Sequence, residues 1–305
     1  MSVPRRFRRP LAFAGLTVVI TALLPAAAAP AAAATRVPPR GVAAAGAVLA
    51  NPATGRVLWA RAEYVRRPIA SLTKVMTALV VTRTGDLGRH IRITQAEVNY
   101  VCCGIAGAGL RVGDVLTARQ LLYAMLLPSG ADAAMALAQT YGPGVPAFVR
   151  KMNATARKLH LPGTRFTNFD GVPSSDVSTP RNLITLGIAA MRQPAFRAAV
   201  RLRWYRLAAT RLHHSYFWRN RNYLLSRYPG VIGIKTGWTP AAGECLLFEA
   251  VHGKRALIGV VLDSAPTDDG QIFAAAARML NWGFGLHVRT IAARSPWQSP
   301  GVRAR

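Results

Sequence analysis

The chain has 305 residues, 51% of them hydrophobic, so it can bury a sizeable core and is not an intrinsically disordered protein. Its formal net charge of +27 predicts attraction to polyanions. Only five of its 39 basic residues are lysines, and the other 34 are arginines. Because arginine stays protonated in proteins and cannot act as a base, the few lysines are candidates for positions that need a titratable amine.

The first 35 residues have the pattern of an export signal. A basic stretch at residues 5–9 precedes an apolar run at residues 11–24, and alanines that offer cleavage sites follow. The apolar run is too short for a comfortable membrane span. We therefore expect a protein that works outside the cytoplasm, either extracellularly or at the outer face of the membrane and wall.

The charge and the cysteines limit the partners. Loss of four arginines with the signal would leave about +23 on the mature part. An exported chain seldom meets nucleic acid, so we expect the anionic cell wall, and no nucleic acid, as the polyanionic partner. Cys102, Cys103 and Cys245 allow at most one internal disulfide, and their spacing excludes a tetrahedral zinc site. We expect no metal and no cofactor.

The chain order predicts an α+β fold. Strands are expected near both chain ends and helices in the middle, which suggests a mostly antiparallel sheet flanked by helices, with a helical insertion. A catalytic domain is expected at residues 40–290 and a flexible tail at 291–305. The predicted strands are 44–50, 56–60, 90–93, 204–210, 244–251 and 255–263, and an apolar run covers 229–238. The predicted helices are 71–84, 117–127, 131–141, 146–159, 180–193 and 271–282.

Three short motifs carry the candidate chemistry. Ser71 and Lys74 are three residues apart on a predicted helix, so a neutral amine could accept the proton of the hydroxyl. Chance alone gives roughly 0.2 such pairs in this composition, and a lone pair is usually a helix cap beside a solvated lysine. The tripeptide Lys235-Thr236-Gly237 has a chance expectation of only about 0.03. Between the two, Ser129 lies at a break between predicted helices.

In this order, Ser71-Leu-Thr-Lys74, Ser129-Gly130-Ala131 and Lys235-Thr-Gly237 resemble the penicillin-interacting serine D-alanyl-D-alanine carboxypeptidases of bacterial cell walls. The resemblance covers roughly residues 40–290 and implies the fold of β-lactamases and transpeptidases. The substrate would be a peptidoglycan stem peptide ending in D-Ala-D-Ala, and β-lactams would be covalent inhibitors.

The resemblance also implies a role for each residue. Ser71 would be the acylated nucleophile, Lys74 its base, and Ser129 the proton relay. Lys235, as a nearby second cation, would disfavour the protonated form of Lys74. The backbone amides of Ser71 and Trp238 would form the oxyanion hole. Thr236 would hold the terminal carboxylate of the substrate, with Lys235 attracting it and Gly237 completing the substrate-binding strand.

Ala131 departs from the family pattern, which has an asparagine at this position. If the asparagine side chain is merely missing, the site has lost one hydrogen bond to the substrate. If neighbouring groups have repacked around alanine, an asparagine at this position would crowd the site. The intact frame around Ala131 favours the first case and predicts that Ala131→Asn raises the acylation rate. Two alternatives stay open: a weakly active or non-catalytic cationic wall-binding homologue, and a β-lactamase. Against the latter, the chain between Ser129 and Lys235 contains only Asp132, Asp170 and Asp176 as carboxylates, and no glutamate.

Overall fold

The computed structural model of the chain describes residues 37–102, 104–264 and 270–286. The predicted export signal and the predicted tail lie outside these ranges. Among the described residues, the strands are β1 (Gly46–Ala50), β2 (Val57–Arg61), β3 (Arg67–Pro68), β4 (His90–Arg92), β5 (Val115–Thr117), β6 (Val177–Ser178), β7 (Trp204–Leu207), β8 (Tyr216–Arg219), β9 (Val231–Thr239), β10 (Gly243–His252) and β11 (Arg255–Ser264). The α-helices there are α1 (Thr73–Thr84), α2 (Gln95–Tyr100), α3 (Ala118–Leu126), α4 (Ala131–Tyr141), α5 (Val145–Lys158), α6 (Pro180–Met191), α7 (Pro194–Val200), α8 (Leu224–Arg227) and α9 (Gln271–Phe284).

A five-stranded antiparallel sheet joins strands that are distant in the sequence, in the order β2-β1-β11-β10-β9. Gly46 of β1 lies opposite Leu262 of β11, which closes the sheet between the two halves of the chain. Gly253, with φ of 58°, lies in the tight turn between β10 and β11 and supplies a left-handed conformation that glycine adopts without strain. The predicted α+β class and the antiparallel sheet are confirmed.

Both faces of this sheet are buried, because successive residues of a strand point to opposite sides. Val48 on β1 belongs to the larger core, into which α1, α3, α4 and α6 pack. Its neighbours Ala47 and Leu49 belong to a second core, which α9 covers. The sheet thus forms the middle layer, and the helical insertion between β3 and β7 lies largely on one side of it.

Several helix boundaries follow from the sequence. Thr179 caps α6 by accepting a hydrogen bond from Asn182 N at 3.1 Å, and Pro180 occupies the first helical position. Helix α4 has the predicted bounds, Ala131–Tyr141. Thr117 caps α3 through a reciprocal capping box. No helix among the described residues is long and apolar enough to cross a membrane.

The helix predicted from Ser71 begins two residues later than expected, at Thr73. Residues Ala70–Leu72 form a 3₁₀ turn instead, and Ala70 has φ of 46°, so the backbone changes direction just before the helix. Ser71 makes no side-chain cap to the backbone. Its hydroxyl is therefore available for other contacts.

Candidate active site

A cleft of about 790 Å³ opens at the edge strand β9, where the sheet meets the helical layer. Its wall combines hydroxyls, cations and aromatic rings. The residues that line it include Ser71, Lys74, Ile105, Ser129, Arg219, Arg221, Tyr223, Thr236, Gly237, Trp238, Ile272 and Phe273. This volume is in the range of small-molecule and peptide-terminus sites.

Ser71 lies on the 3₁₀ turn, directly against strand β9. A Cβ atom on Gly237 would lie 2.9 Å from Ser71 N and 3.1 Å from the Cβ of Ala70. Real Cβ atoms do not approach a backbone nitrogen this closely, so only glycine fits at residue 237 in this arrangement. The close contact brings the start of α1 and the end of β9 together at the floor of the cleft.

Lys74 is buried, with 1% of its surface exposed, and it contacts Ser71 directly. Its Nζ lies 3.1 Å from Ser71 Oγ and donates a second hydrogen bond to the backbone oxygen of Asp170 at 2.9 Å. Burial lowers the pKa of Lys74 from its ordinary value because it removes water from the charged form, whereas the carboxylates of Asp170 and Asp132 act in the opposite direction. The net direction is downward, which favours a neutral amine beside the hydroxyl.

Ser129 occupies the break between α3 and α4 with φ of 71°, a conformation that non-glycine residues seldom adopt. Its hydroxyl is buried and has no hydrogen-bond partner among the described residues. Gly130 follows at a crowded point, where a Cβ would lie 2.7 Å from both Ala108 Cβ and Ala124 O. An unsatisfied buried hydroxyl on the wall of a cleft is suited to bind a group that arrives with the substrate.

Lys235 lies on β9 behind the cleft wall rather than on its surface. It is 1% exposed, and its Nζ donates to the backbone oxygen of Thr236 at 2.9 Å. Burial lowers the pKa of Lys235 well below its ordinary value, and repulsion from Lys74 and Arg221 adds to this effect. Thr236 and the three residues that follow it on β9 line the cleft in front of this amine.

Arg221 is a component of the site that sequence reasoning missed. It is exposed, lines the cleft, and lowers the pKa of both Lys74 and Lys235 by charge repulsion. Burial is the main cause of the lowered pKa of Lys74, and Arg221 adds charge repulsion that the sequence did not predict. The flanking asparagines are buried: Asn220 donates to Leu202 O at 2.9 Å and accepts from Asn222 N at 2.9 Å, and Asn222 accepts from Leu224 N at 3.2 Å.

Ala131 is fully buried at the first turn of α4 and does not line the cleft. Its backbone nitrogen donates to Ala106 O at 2.8 Å, which holds the loop before it against the helix. The carboxylate of Asp132 accepts from Ala108 N at 2.9 Å and from Leu110 N at 3.2 Å, and so it fixes the same loop. This packing corresponds to the second case considered above, a site closed over alanine, and it changes the prediction for Ala131→Asn.

Asp170 and Asp176 are buried behind the cleft and hold structure there. The Asp170 carboxylate accepts from Tyr100 Oη at 3.1 Å and from Val172 N at 3.0 Å. The Asp176 carboxylate accepts hydrogen bonds from Thr167, Asn168 and Thr73, and burial raises the pKa of Asp176. Neither carboxylate lines the cleft. Neither is placed to activate a water molecule beside Ser71.

The structure brings six of the seven predicted site residues to one cleft and places the seventh, Lys235, directly behind it. Their catalytic and binding roles remain predictions. No cluster of three potential metal ligands among His, Cys, Asp and Glu occurs in the described residues. The six predicted site residues that line the cleft are Ser71, Lys74, Ser129, Thr236, Gly237 and Trp238.

The fold and the cleft define a class. An antiparallel sheet with helices on both faces, carrying a serine–lysine pair beside its edge strand, is the architecture of the penicillin-binding peptidases. The sequence model of the D-alanyl-D-alanine carboxypeptidase family matches residues 32–266. The chain belongs to this family, which confirms the resemblance seen in its motifs.

Relatives span most of the chain. A D-alanyl-D-alanine carboxypeptidase from Streptomyces sp. strain K15 is 40% identical over 90% of this chain and 98% of its own length. The D-alanyl-D-alanine carboxypeptidase DacB2 from Mycobacterium tuberculosis is 36% identical over 79% of this chain and 82% of its own. Among solved structures, the Streptomyces K15 DD-transpeptidase superposes with a TM-score of 0.78 at 39% identity, covering 82% of this chain and all of that one.

Proposed function

We propose that this chain removes the terminal D-alanine from peptidoglycan stem peptides through an ester formed on Ser71. The observation that carries the proposal is the 3.1 Å contact between Lys74 Nζ and Ser71 Oγ, made by a buried lysine whose pKa is lowered. A neutral amine at hydrogen-bond distance can take the proton of the hydroxyl as the oxygen attacks a carbonyl carbon. An arginine or a solvated lysine could not do this at neutral pH.

In the acylation step, Ser71 Oγ attacks the carbonyl between the two terminal D-alanines, and Lys74 accepts the proton. The tetrahedral intermediate then collapses, the peptide C–N bond breaks, and the leaving D-alanine takes up a proton. Ser129, whose hydroxyl has no partner of its own among the described residues, relays that proton from Lys74 to the leaving amine. By microscopic reversibility, water then hydrolyses the ester with Lys74 again acting as the base.

The strand β9 binds the substrate next to this pair. The backbone amides of Ser71 and Trp238 form the oxyanion hole, on either side of the close contact at Gly237. Thr236 binds the terminal carboxylate of the peptide, with Lys235 directly behind it, and the positive charge of Arg221 at the cleft attracts it. The same pocket accepts a β-lactam, whose strained amide acylates Ser71 in place of the peptide.

Neither alternative from the sequence is favoured. A β-lactamase needs a carboxylate that activates the deacylating water, but Asp132, Asp170 and Asp176 are engaged in hydrogen bonds and none of them lines the cleft. Burying a lysine destabilises the fold, so it is expected only where the buried amine has a function. A non-catalytic wall binder would gain nothing from a buried lysine in contact with a serine hydroxyl.

The cellular setting is part of the proposal. Residues 1–35 would direct export, residues 40–290 would form the catalytic domain, and residues 291–305 would form a flexible tail. The net charge of +27 supports association with an anionic cell wall, which would keep the enzyme close to its substrate.

The test is acylation of the purified chain by a fluorescent penicillin, together with D-alanine release from a D-Ala-D-Ala peptide. Ser71→Ala is expected to abolish both, and Lys74→Arg is expected to do the same although charge is retained, because guanidinium cannot give up its proton. Ser215→Ala and Lys158→Arg change exposed residues of the same types and serve as controls. Labelling that survives Ser71→Ala would refute the assignment.

A further inference from the structure

We propose that the outward face of the hairpin formed by β7 and β8 is a docking surface for the peptidoglycan strand that carries the substrate peptide. This hairpin face consists of Trp204, Arg206, Phe217 and Arg219. The inference rests on the proposed function, because it assumes that the peptide in the cleft hangs from that polymer.

The hairpin has one packed side and one open side. Trp204 pairs with Arg219 across the two strands and Arg206 pairs with Phe217, so the four side chains share one surface. Trp204 is 57% exposed and Phe217 is 54% exposed, although aromatic residues of this size are usually covered. Their ring centroids are 5.9 Å apart, and the Arg219 guanidinium lies 5.8 Å from the centre of the Phe217 ring.

The inner side of the hairpin explains why the outer side is held rigidly. Tyr205 and Tyr216 each stack near Trp218, with ring centroids 6.1 and 5.2 Å apart. The indole nitrogen of Trp218 donates to Ala108 O at 2.8 Å, and the Tyr216 hydroxyl donates to the buried carboxylate of Asp114. The exposed rings therefore stand on a fixed support and bind a partner with little loss of conformational entropy.

The charge of this region is one-sided. Residues 177–243 contain ten arginines and one lysine, and no aspartate or glutamate. In the part of the chain that the structure describes, Arg206 and Arg219 have no carboxylate partner. A surface with unpaired guanidinium groups between exposed aromatic rings fits an extended polymer that has both anionic groups and flat apolar faces.

The hairpin face continues into the cleft. Arg219 lines the cleft at the end of β8, and Arg221 lines it two residues later. A polymer whose peptide ends at Ser71 must leave the cleft past one of its rims, and this rim carries charges opposite to the carboxylates of the stem peptides. The apolar faces of sugar rings would pack on Trp204 and Phe217, and the carboxylates would bind Arg206 and Arg219.

The experiment compares one peptide in two forms: soluble glycan strands that carry D-Ala-D-Ala pentapeptides, freed of phosphate polymers, and the free pentapeptide. The double variant Trp204→Ala/Arg206→Gln removes one ring and one charge outside the cleft. The control Tyr64→Ala/Arg150→Gln removes an aromatic ring that is 72% exposed and an exposed arginine elsewhere. Sedimentation with insoluble peptidoglycan, also freed of phosphate polymers, measures binding without turnover.

We expect the hairpin variant to lose about tenfold or more in kcat/KM on the glycan-borne peptide, the scale of one lost stacking contact, with the free peptide and penicillin acylation unchanged within about twofold. It should also sediment less than the control variant. Equal losses on both substrates, or a loss no larger than that of the control, would overturn the docking surface. So would hairpin-dependent binding that is seen only with phosphate polymers or single-stranded DNA and not with peptidoglycan freed of them. If the wild type hydrolyses neither substrate, the proposed function fails, and hairpin-dependent sedimentation still tests docking.

Discussion

Gly237 and Ser71 approach each other so closely that a methyl group on the glycine would lie 2.9 Å from the backbone nitrogen of the serine. This contact joins two segments that are 166 residues apart in the sequence. It sets the position of the Ser71 amide on the 3₁₀ turn relative to the Trp238 amide on β9, and these two amides are the proposed oxyanion donors. A shift of either segment would move a donor away from the point at which the oxyanion forms.

Gly237→Ala is therefore expected to slow acylation of Ser71 by about tenfold to a thousandfold, since loss of one oxyanion donor has effects near the upper end of that range. Gly88→Ala is the matched control, because a Cβ at residue 88 meets no atom within 4 Å. Rates of fluorescent penicillin labelling, with circular dichroism to verify the fold, provide the measurement. Unchanged labelling in Gly237→Ala would show that the Ser71 amide does not need this contact.

The pH dependence of acylation follows from the lowered pKa of Lys74. The neutral amine is the active form, so the rate should rise with pH through the pKa of Lys74, with a midpoint below the ordinary value of 10.5. Arg221→Gln removes a repelling charge and should move this midpoint to higher pH, whereas Arg150→Gln should not. Stopped-flow acylation between neutral and alkaline pH measures both. A midpoint that moves to lower pH in Arg221→Gln would contradict the electrostatic assignment.

Much of the architecture could be predicted because it depends on local signals. The Thr179–Pro180 start of α6 and the bounds of α4 follow from capping residues and apolar periodicity. The short elements α2, β5 and β8 were missed because three to six residues carry too little pattern. The 3₁₀ turn at Ser71 was also missed, since it depends on the left-handed conformation of Ala70, which a sequence pattern does not encode.

The composition of the site was predictable in part for a different reason. The scarcity of lysine and the three motifs indicated Lys74 and Lys235, but burial, which is a tertiary property, determines their pKa values. Arg221 was overlooked because one arginine among 34 carries no signal by itself. Its place at the cleft follows from the hydrogen bonds of the flanking asparagines, which become visible only in the fold.

Lys235→Met is expected to stabilise the protein while it impairs the activity. Burying an amine costs free energy because it removes water from the charged form, and an apolar side chain of similar size avoids this cost. Between the lowered pKa of Lys235 in the folded state and its ordinary value of 10.5, the unfolded state binds more protons than the folded state. The stability of the wild type should therefore rise with pH across this window, and the gain in the variant should shrink. Thermal unfolding at several pH values tests this, with exposed Lys158→Met as the control. Destabilisation at neutral pH would contradict it.

Association with isolated anionic cell wall should weaken steeply as salt rises. The Debye length falls from about 10 Å at 0.1 M to about 3 Å at 1 M, so the attraction that arises from the excess of 27 positive charges is screened. Sedimentation with wall material at increasing sodium chloride concentrations is the measurement. Retention that does not depend on salt would show that uncharged contacts dominate binding.

Ala131→Asn tests how the site accommodates an alanine where the family pattern is expected to have an asparagine. The sequence predicted faster acylation, because an added amide could contribute a hydrogen bond to the substrate. In the structure Ala131 is fully buried, it does not line the cleft, and its backbone nitrogen donates to Ala106 O at 2.8 Å. A larger polar side chain at this point must displace its neighbours, and such overpacking costs about 1–3 kcal/mol.

We therefore expect Ala131→Asn to lower the unfolding temperature and to slow acylation of Ser71 by a D-Ala-D-Ala peptide. The smaller substitution Ala131→Gly adds no volume, so it controls for the packing effect: it should weaken the start of α4 without crowding Ser129. Acylation rates and thermal unfolding are measured for both variants. Faster acylation in Ala131→Asn, with the unfolding temperature retained, would show that the cleft has room for the amide and that alanine only removes a hydrogen bond to the substrate.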